Sequence, residues 1–290
     1  MPTSRSGSRA YSARWSVPGL VLSAAVAVAS SGAADERQEC RPGSSPVRSA
    51  VRVIDGETFV LDDGSQVRLA GIMTPRASDA AAEGGELPLE RQARLALERL
   101  ILERPVVLAL EARGKDRYGR LLAQVFVRGE EASPAWVQGH LLSHGLARVV
   151  GAPELPNCLE ALLGQERRAR QANAGLWAAP AYQVRKAWRT AELLRLRSTY
   201  QIVEGRIVEA AERGRRIYLN FGRDGRQDFT VGLDAAASKL MARTGVDVRQ
   251  LAGVRVRVRG WIERRDGPYI EVEHPHQLER LGEAGASGAQ

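Results

Sequence analysis

The fold is decided by residues 51–72, which read VRVIDGETFVLDDGSQVRLAGI. Apolar and polar residues alternate on both sides of Asp63-Gly64, a dipeptide that is typical of a tight hairpin turn. The stretch therefore predicts consecutive antiparallel strands. Residues 105–113 and 120–129 repeat the alternation and predict two further strands.

Helical patterns follow these strands. Apolar residues from Leu87 to Leu100 recur at nearly helical spacing, which predicts a first helix. Ser133-Pro134 is typical of an N-cap followed by a first-turn proline, and Asn157 precedes a third helical pattern. Five strands and three helices in this order favour a small Greek-key barrel of the OB type, within an α+β fold class that is mainly β.

Four short segments of this region resemble successive signatures of the thermonuclease, or staphylococcal-nuclease-like, family. They are VIDGET at residues 53–58, VRL at 67–69 leading to Thr74-Pro75, DRYGR at 116–120 and GLW at 175–177. The resemblance implies an OB-fold barrel with three helices. It also implies a cleft that, in active members of the family, cuts DNA and RNA with Ca2+.

The resemblance assigns roles to several residues of that cleft. Arg68 and Arg120 stand where the family holds the phosphate, so they are candidate catalytic residues. Glu57 replaces the first metal-binding aspartate and still offers a hard oxygen ligand. Thr74 stands where a carbonyl group contacts the metal. Together Glu57 and Thr74 form a weak candidate site for Ca2+ or another divalent cation.

Two positions depart from the family pattern. Met73 replaces the second metal-binding aspartate, and a thioether has no useful affinity for Ca2+. Arg76 stands at the position of the glutamate base and cannot accept a proton at physiological pH. Loss of a general base alone lowers rates by about 100- to 10,000-fold. We therefore expect a cleft that holds phosphate with Arg68, Arg76 and Arg120 but has lost most or all hydrolysis.

The remaining chain predicts a second barrel. Residues 199–281 carry three alternating stretches, a short helical pattern and two strands joined at Asp266-Gly267, which favours a second OB-like barrel. Residues 254–260, VRVRVRG, place valines on one face of a strand and arginines on the other. We expect Arg255, Arg257, Arg259 and Trp261 to bind single-stranded nucleic acid through phosphates and base stacking. A solvated face paired to nearby acids is the alternative.

Charge is distributed unevenly along the chain. The 290 residues contain 42 basic and 34 acidic side chains, and 44% of them are hydrophobic, which excludes a wholly disordered or polytopic membrane protein. Residues 45–184 hold 17 basic and 17 acidic residues, whereas residues 185–280 hold 20 and 13. Attraction to polyanions is therefore expected to arise in the C-terminal part.

The N-terminus predicts export. Residues 1–33 combine three arginines without an acidic residue, an apolar run and small residues near Ala33, as a secretory signal peptide does. The apolar run is too short to span a bilayer. An exported, periplasmic or secreted chain can form a disulfide, so we expect Cys40 to bond with Cys158; two unpaired thiols are the alternative.

These patterns combine into one organisation. A signal peptide at 1–33 precedes a thermonuclease-like domain at 45–180, a helical connector at 181–198, a basic OB-like domain at 199–281 and a flexible tail at 282–290. The leading functional hypothesis is binding of single-stranded DNA or RNA, with no membrane span after signal removal and nuclease activity lost or weak. The alternatives are an active metal-dependent endonuclease with a rearranged site around Glu57, and an envelope protein-interaction scaffold. No sequence signal indicates an oligomeric state.

Overall fold

The computed structural model describes residues 40–76, 79, 88–129, 134–151 and 156–282, and these belong to one compact unit. The predicted signal peptide lies outside the described residues, as does all but the first residue of the predicted tail. Within the described ranges, no helix is long and apolar enough to cross a membrane.

The first part of the chain forms a closed barrel. In chain order its strands are β1 (Arg48–Asp55), β2 (Thr58–Leu61), β3 (Gln66–Leu69), β4 (Ile72–Met73), β5 (Pro105–Lys115), β6 (Leu121–Val127), β7 (Ala135–Trp136) and β8 (Arg148–Val149). Strand β1 pairs antiparallel with β2 and β5, β2 pairs with β3, and β5 pairs with β6. The parallel pair β3–β6 closes the sheet, which is the arrangement of an OB-fold barrel.

The predicted hairpin is present between β2 and β3. Gly64 lies in the turn with a φ of 81°, a left-handed conformation that glycine adopts without steric cost. The Gly64 N–H donates to the Leu61 carbonyl oxygen at 3.0 Å. Val53 on β1 and Val67 on β3 alternate with more exposed neighbours and are buried in the barrel core, as the alternation of the sequence predicts, whereas all four residues of β2, including Phe59, are buried.

In the described residues, the helices beside this barrel include α1 (Pro88–Ile101), α2 (Val137–Ser143) and α3 (Pro156–Gln171). Helix α2 begins later than the sequence predicts, because Ala135 and Trp136 first pair with β6 as strand β7. Trp136 is the N-cap residue and makes no side-chain capping bond, while Ser133 lies outside the described residues. Helix α3 begins at Pro156, one residue before Asn157, with proline in the first turn as its fixed φ favours.

The second part of the chain shares some of these pairings, but its strands are divided between two sheets. Its strands are β9 (Arg185–Lys186), β10 (Tyr200–Arg206), β11 (Glu209–Arg213), β12 (Arg216–Asn220), β13 (Thr230–Leu233), β14 (Arg255–Trp261), β15 (Glu263–Arg265), β16 (Gly267–Glu271) and β17 (Leu278–Arg280). Strand β10 pairs antiparallel with β14, β11 with β12, β12 with β13, and β15 with β16. The pair β13–β16 is parallel, as β3–β6 is in the first barrel.

Two short helices complete this part: α4 (Thr190–Arg195) and α5 (Ala235–Arg243). Asp234 caps α5, because its side chain accepts a hydrogen bond from the Ala237 N–H at 2.7 Å. The turn between β15 and β16 contains Asp266 with a φ of 65°, where the sequence predicts a tight turn. The β regions and the short helix of residues 199–281 are therefore placed as the alternation predicts.

The connector is only partly helical, which corrects the expectation of a helical segment at 181–198. Its α-helix spans Thr190–Arg195 alone, and Arg185–Lys186 instead pair in parallel with β10. Arg185 is largely buried and donates to the Ala181 carbonyl oxygen at 3.0 Å, which draws this segment towards the sheet. The predicted limits of the two domains stay predictions, although the two largest groups of buried apolar side chains lie within residues 50–162 and 187–278.

The predicted disulfide joins Cys40 to Cys158, which are 118 positions apart in the sequence, with their Cα atoms 4.4 Å apart. It ties the first described residue of the chain to helix α3. The chain-entropy account gives a cross-link of this span about 4 to 5 kcal/mol of stabilisation. Helix α3 is therefore held covalently as well as by packing.

Candidate nucleic-acid interface

Glu57 lies in the turn between β1 and β2 and is positioned by local contacts. Its N–H donates to Asp55 Oδ1 at 2.8 Å, and its carbonyl oxygen accepts from the Leu69 N–H at 2.8 Å. Gly56 packs so closely that a Cβ atom there would lie 2.9 Å from Ala93 Cβ and from Thr74 Oγ1. Glycine at this position therefore lets the turn approach both α1 and the end of β4.

The carboxylate of Glu57 is buried and fully engaged. Its Oε1 atom accepts from Arg68 Nη1 at 2.8 Å and from Arg76 Nη2 at 2.7 Å. Its Oε2 atom accepts from the Thr74 backbone N–H at 3.0 Å. The structure thus brings Glu57, Arg68, Thr74 and Arg76 together, as the resemblance implies, but pairs the glutamate with both arginines.

The positions that depart from the family pattern have different surroundings. Met73 is 3% exposed, in strand β4 beside β8, so its thioether belongs to the interior. The side chain of Arg76 is 45% exposed. Partial burial acts to lower the pKa of Arg76, but its hydrogen bond to Glu57 and the charges of Glu57, Asp79 and Asp55 outweigh it and raise that pKa. Arg76 therefore stays protonated and cannot replace the missing base.

Arg120 is paired within its own turn. Its side chain meets Asp116 Oδ2 at 2.6 Å, and the Arg120 and Tyr118 N–H groups donate to Asp116 Oδ1. Burial acts to raise the pKa of Asp116, but these bonds to Arg120 and Tyr118 lower it overall. Among the described residues, Arg120 therefore pairs with Asp116, whereas Arg68 and Arg76 share Glu57.

A tyrosine stands beside this pair with its ring largely free. Tyr118 is 68% exposed, and the guanidinium carbons of Arg117 and Arg120 lie 4.9 Å and 5.3 Å from its ring centroid. The turn therefore presents an aromatic surface flanked by two cations, which is a combination that suits nucleic-acid bases and phosphates.

The carboxylates nearest the cleft are committed to other contacts. Asp55 accepts from the Glu57 N–H, and Asp116 is held by Arg120. Asp79 accepts from Tyr182 Oη at 3.3 Å and pairs with Arg148 at 3.4 Å. Burial, and then the charge of Asp79, raise the pKa of Tyr182, so this hydroxyl stays protonated as the donor.

This donor set does not fit Ca2+. The ion takes roughly six to eight oxygen ligands, and carboxylates offset the cost of its dehydration. Glu57 alone of the implied metal ligands supplies a carboxylate, and both of its oxygens face N–H donors. Among the described residues, no three His, Cys, Asp or Glu side chains are grouped so that they could hold a metal.

The predicted arginine row on β14 is engaged by acidic side chains. Arg255 and Arg257 donate to Glu204 at 2.7 Å and 2.9 Å, and Arg257 also pairs with Glu279 at 3.0 Å. Trp261 is 49% exposed and meets Tyr200 edge to face, with ring centroids 5.8 Å apart. The assignment of this row to nucleic acid stays a prediction, with Arg255 and Trp261 as its more exposed members.

Arg259 faces the interior, which differs from the expected solvent-facing row. Its side chain is 6% exposed, and both terminal nitrogens bind Glu166 of α3 at 2.9 Å. Glu166 also accepts from the Val149 N–H at 2.6 Å and from Arg170 at 3.2 Å. The strand alternation is correct, but helix α3 covers the end of the arginine face.

Glu166 is the residue of this region that the sequence reasoning missed. Burial acts to raise its pKa, but the charge and hydrogen bonds of Arg259, the Val149 N–H and Arg170 lower it overall. In the sequence Glu166 lies within an ordinary charged helix, GQERRAR, with no local pattern to mark it. Its partner stands 93 residues away, so the signal is available only from the folded chain.

Comparison with known families agrees with the fold. Residues 66–179 match the family model described as staphylococcal nuclease homologue. The match begins at β3, so it contains Arg68, Arg76 and Arg120 but not Glu57. The comparison with curated proteins gave no match.

Proposed function

Because the chain contains a staphylococcal-nuclease-like domain, we propose that it is an exported protein that binds single-stranded DNA or RNA and has lost most or all of the nuclease activity. The observation that carries this proposal is the engagement of Glu57 by Arg68, Arg76 and the Thr74 N–H. It bears on both halves of the proposal, hydrolysis and binding.

Hydrolysis of a phosphodiester requires an activated water and a cation or donors that stabilise the charge developing on the phosphoryl oxygens. A divalent cation at Glu57 would have to displace two guanidinium groups that already neutralise the carboxylate. The position that holds the glutamate base in the family is occupied here by Arg76, which is protonated. The cleft therefore lacks a charge arrangement that would support metal-dependent cleavage.

Binding of a phosphate requires fewer groups of the cleft than hydrolysis does. Each guanidinium carries five N–H donors, and Arg68 and Arg76 each use one nitrogen on Glu57. Their two positive charges exceed the one negative charge of Glu57, while of the nearby acids Asp79 pairs with Arg148 and Asp55 accepts from the Glu57 N–H. Arg76 is half exposed, and a phosphate at its free edge would gain charge-assisted hydrogen bonds.

Export is supported by two independent features. The first 33 residues have the sequence of a signal peptide, and the disulfide between Cys40 and Cys158 is of a kind that persists in oxidising compartments. Extracellular or periplasmic nucleic acid is then the accessible polyanion.

The test combines cleavage with binding. The purified mature chain is incubated with fluorescein-labelled single-stranded DNA or RNA in Ca2+, Mg2+ or Mn2+, with EDTA controls, and binding is followed by anisotropy between 50 and 200 mM salt, a range over which phosphate contacts weaken by about one or more orders of magnitude. We expect salt-sensitive binding and no metal-dependent cleavage.

Glu57→Gln separates this proposal from an active enzyme. Removing the negative charge should strengthen binding by about two- to fivefold, since a partly exposed ion pair is worth about 0.5 to 1 kcal/mol. Glu98→Gln, at an exposed pair with Arg94 on α1, is the matched control. Strong EDTA-sensitive cleavage that Glu57→Gln abolishes would overturn the proposal, and absence of binding at 50 mM salt would favour a protein-interaction scaffold.

A further inference from the structure

The second barrel carries a polar cavity that the β14 arginine row does not reach. It encloses about 610 Å3 on the sheet formed by β11, β12, β13, β16 and β15, between the turns and the loop at their ends. Small-molecule sites fall in the range of about 300 to 1,000 Å3, so the cavity has room for a nucleotide. The residues that line it include Arg213, Tyr218, Asn220, Arg226, Thr230 and Arg265.

Tyr218 provides an aromatic surface in this cavity. Strand β12 alternates, so Ile217 and Leu219 enter the core while Tyr218 lies on the outer face and is partly exposed. Its neighbours across the sheet are Ala211 on β11 and Gly232 on β13. The Tyr269 hydroxyl fills the space over Gly232, and Arg216 Cζ lies 5.9 Å from the Tyr218 ring centroid, so a base would meet the part of the ring that these groups leave exposed. A ring in this position is available for stacking against a planar base.

Two cations at the rim have no partner in the part of the chain that the structure describes. Arg213 ends β11 and Arg226 lies in the β12–β13 loop, and both are exposed. In contrast to Arg255, Arg257 and Arg259, the side chains of Arg213 and Arg226 form no hydrogen bond or ion pair with any described residue. Their charges are therefore available to a ligand phosphate.

Of the other charges of the cavity, that of Arg265 is balanced by acids, whereas the carboxylates of Asp224 and Asp266 pair with no cationic side chain among the described residues. Arg265 lies over the Tyr269 ring at 4.2 Å and pairs with Glu263 and Glu271, each at 3.0 Å. Asp224 and Asp266 also line the cavity, and Asp224 Oδ1 accepts from the Arg226 backbone N–H at 3.0 Å. Attraction for an anion therefore falls to Arg213 and Arg226.

The cavity floor supplies polar groups with remaining hydrogen-bonding capacity. Asn220 donates to Glu209 at 3.1 Å and accepts from Thr230 Oγ1 at 3.3 Å. An amide group has two N–H donors and two acceptor sites, so each of its ends keeps one position for the edge of a base.

We propose that this cavity binds one nucleotide of a single-stranded nucleic acid, with the base stacked on Tyr218 and the flanking phosphates on Arg213 and Arg226. The inference rests on the proposed function, which supplies the class of ligand, and locates a contact outside the thermonuclease-like cleft. The site combines a ring, free cations and amide groups, which is the chemistry that single-strand binding proteins use.

The experiment measures anisotropy of a fluorescein-labelled oligothymidylate with the full mature chain. Tyr218→Ala should weaken binding by about 5- to 150-fold, because stacking on an aromatic side chain contributes about 1 to 3 kcal/mol per base. Tyr218→Phe keeps the ring and should bind within about twofold of the parent. Arg213→Ala with Arg226→Ala should lower the slope of log affinity against log salt by about 1.4, since each single-strand phosphate contact contributes about 0.7.

The matched control is Arg215→Ala with Arg223→Ala. These exposed arginines lie in the same turn and loop and remove the same charge, but they do not line the cavity. An oligonucleotide containing 5-iodouracil adds a positional measurement, because photocrosslinking should mark the peptide that contains Tyr218 and should be lost in Tyr218→Ala.

The outcomes are distinguishable. If the parent protein binds and the cavity variants bind no more weakly than the control pair, or the crosslink lies elsewhere, the cavity assignment fails while the proposed function stands. If the parent protein does not bind the oligonucleotide at low salt, the proposed function fails and the cavity assignment fails with it. Selective loss in Tyr218→Ala with the mapped crosslink supports both.

Discussion

Two buried glutamates in this chain have nearly the same partners and opposite surroundings. Glu57 accepts from Arg68, Arg76 and one backbone N–H, and Glu166 accepts from Arg259, Arg170 and one backbone N–H. The side chain of Arg76 is 45% exposed, whereas that of Arg259 is 6% exposed. One cluster therefore borders solvent and the other is sealed.

The difference shows that the residue types in an arginine–glutamate cluster do not by themselves indicate its role. Around Glu166 both carboxylate oxygens are bridged by one guanidinium that comes from the second barrel, so the cluster joins distant parts of the chain. Around Glu57 two separate arginines each bind through one nitrogen and keep donors for another anion. Exposure of the cation decides between an internal tie and a binding surface.

The largest expected effect comes from converting the exposed cluster into a metal site. Met73→Asp with Arg76→Glu restores the carboxylates that the family pattern has at these two positions, one as a metal ligand and one as the base. We expect Ca2+-dependent cleavage of single-stranded DNA about 100-fold or more above the parent chain, measured with labelled oligonucleotides, because general-base catalysis contributes about 100- to 10,000-fold.

Arg76→Glu alone is the control, since it restores the base without the second metal ligand. Because Met73 is buried, the carboxylate that replaces it would be buried too, and the double variant should also gain thermal stability on addition of Ca2+. A double variant that neither melts higher nor cuts DNA when Ca2+ is added would contradict the account of the altered site.

Substitution in the sealed cluster around Glu166 should change mainly the free energy of unfolding. Arg259→Met leaves the buried Glu166 with Arg170 as its remaining charged partner and should lower the free energy of unfolding by about 3 to 5 kcal/mol, measured by urea denaturation. Arg255→Met removes a more exposed arginine from the same strand face and should cost no more than about 1 kcal/mol. Equal losses in the two variants would show that Arg259 is not an internal tie.

A fall in pH should reduce the stability that the cluster around Glu166 contributes. The pKa of Glu166 is lowered below its usual 4.5 by Arg259, Val149 and Arg170 against the opposing effect of burial, so the unfolded chain binds a proton first as pH falls. This contribution is complete above pH 4.5 and decreases below it, by up to about 1.4 kcal/mol per pH unit. Glu166→Gln should therefore flatten the pH dependence of unfolding below pH 4.5. An unchanged slope relative to Glu98→Gln would contradict this assignment.

The smallest effect is expected at the exposed cation itself. Arg76→Met should change the free energy of unfolding by less than about 1 kcal/mol, because Glu57 keeps Arg68 and the Thr74 N–H. Binding of single-stranded DNA should nevertheless weaken by about two- to tenfold, which anisotropy would detect. Loss of stability as large as that in Arg259→Met would remove the distinction between the two clusters.

Local patterns account for what the sequence predicts well. Alternation around Asp63-Gly64 fixes the hairpin and the buried face of β3, and the same rule separates valines from arginines on β14. Export and an even cysteine count were sufficient to predict the bond between Cys40 and Cys158. These signals depend on near neighbours or on composition.

The features that the sequence does not predict depend on partners that are far apart in the chain. Alternation assigns Arg259 to a face but carries no information on α3, which covers that face with Glu166. The resemblance gathers Glu57, Arg68 and Arg76 but does not say that the glutamate will occupy both arginines. The free state of Arg213 and Arg226 likewise depends on which acids reach them in the folded chain.

The position of α3 bears on how the nuclease-like segment can be isolated. A fragment cut at residues 66 and 179 would lose β1 and β2, break the bridge that begins at Cys40 and remove Arg259, which binds both carboxylate oxygens of Glu166. The segment that matches the family model is therefore shorter than the part of the chain that holds these contacts. Domain transplantation or expression of the segment by itself would have to carry residues 40–282 to preserve the native interior.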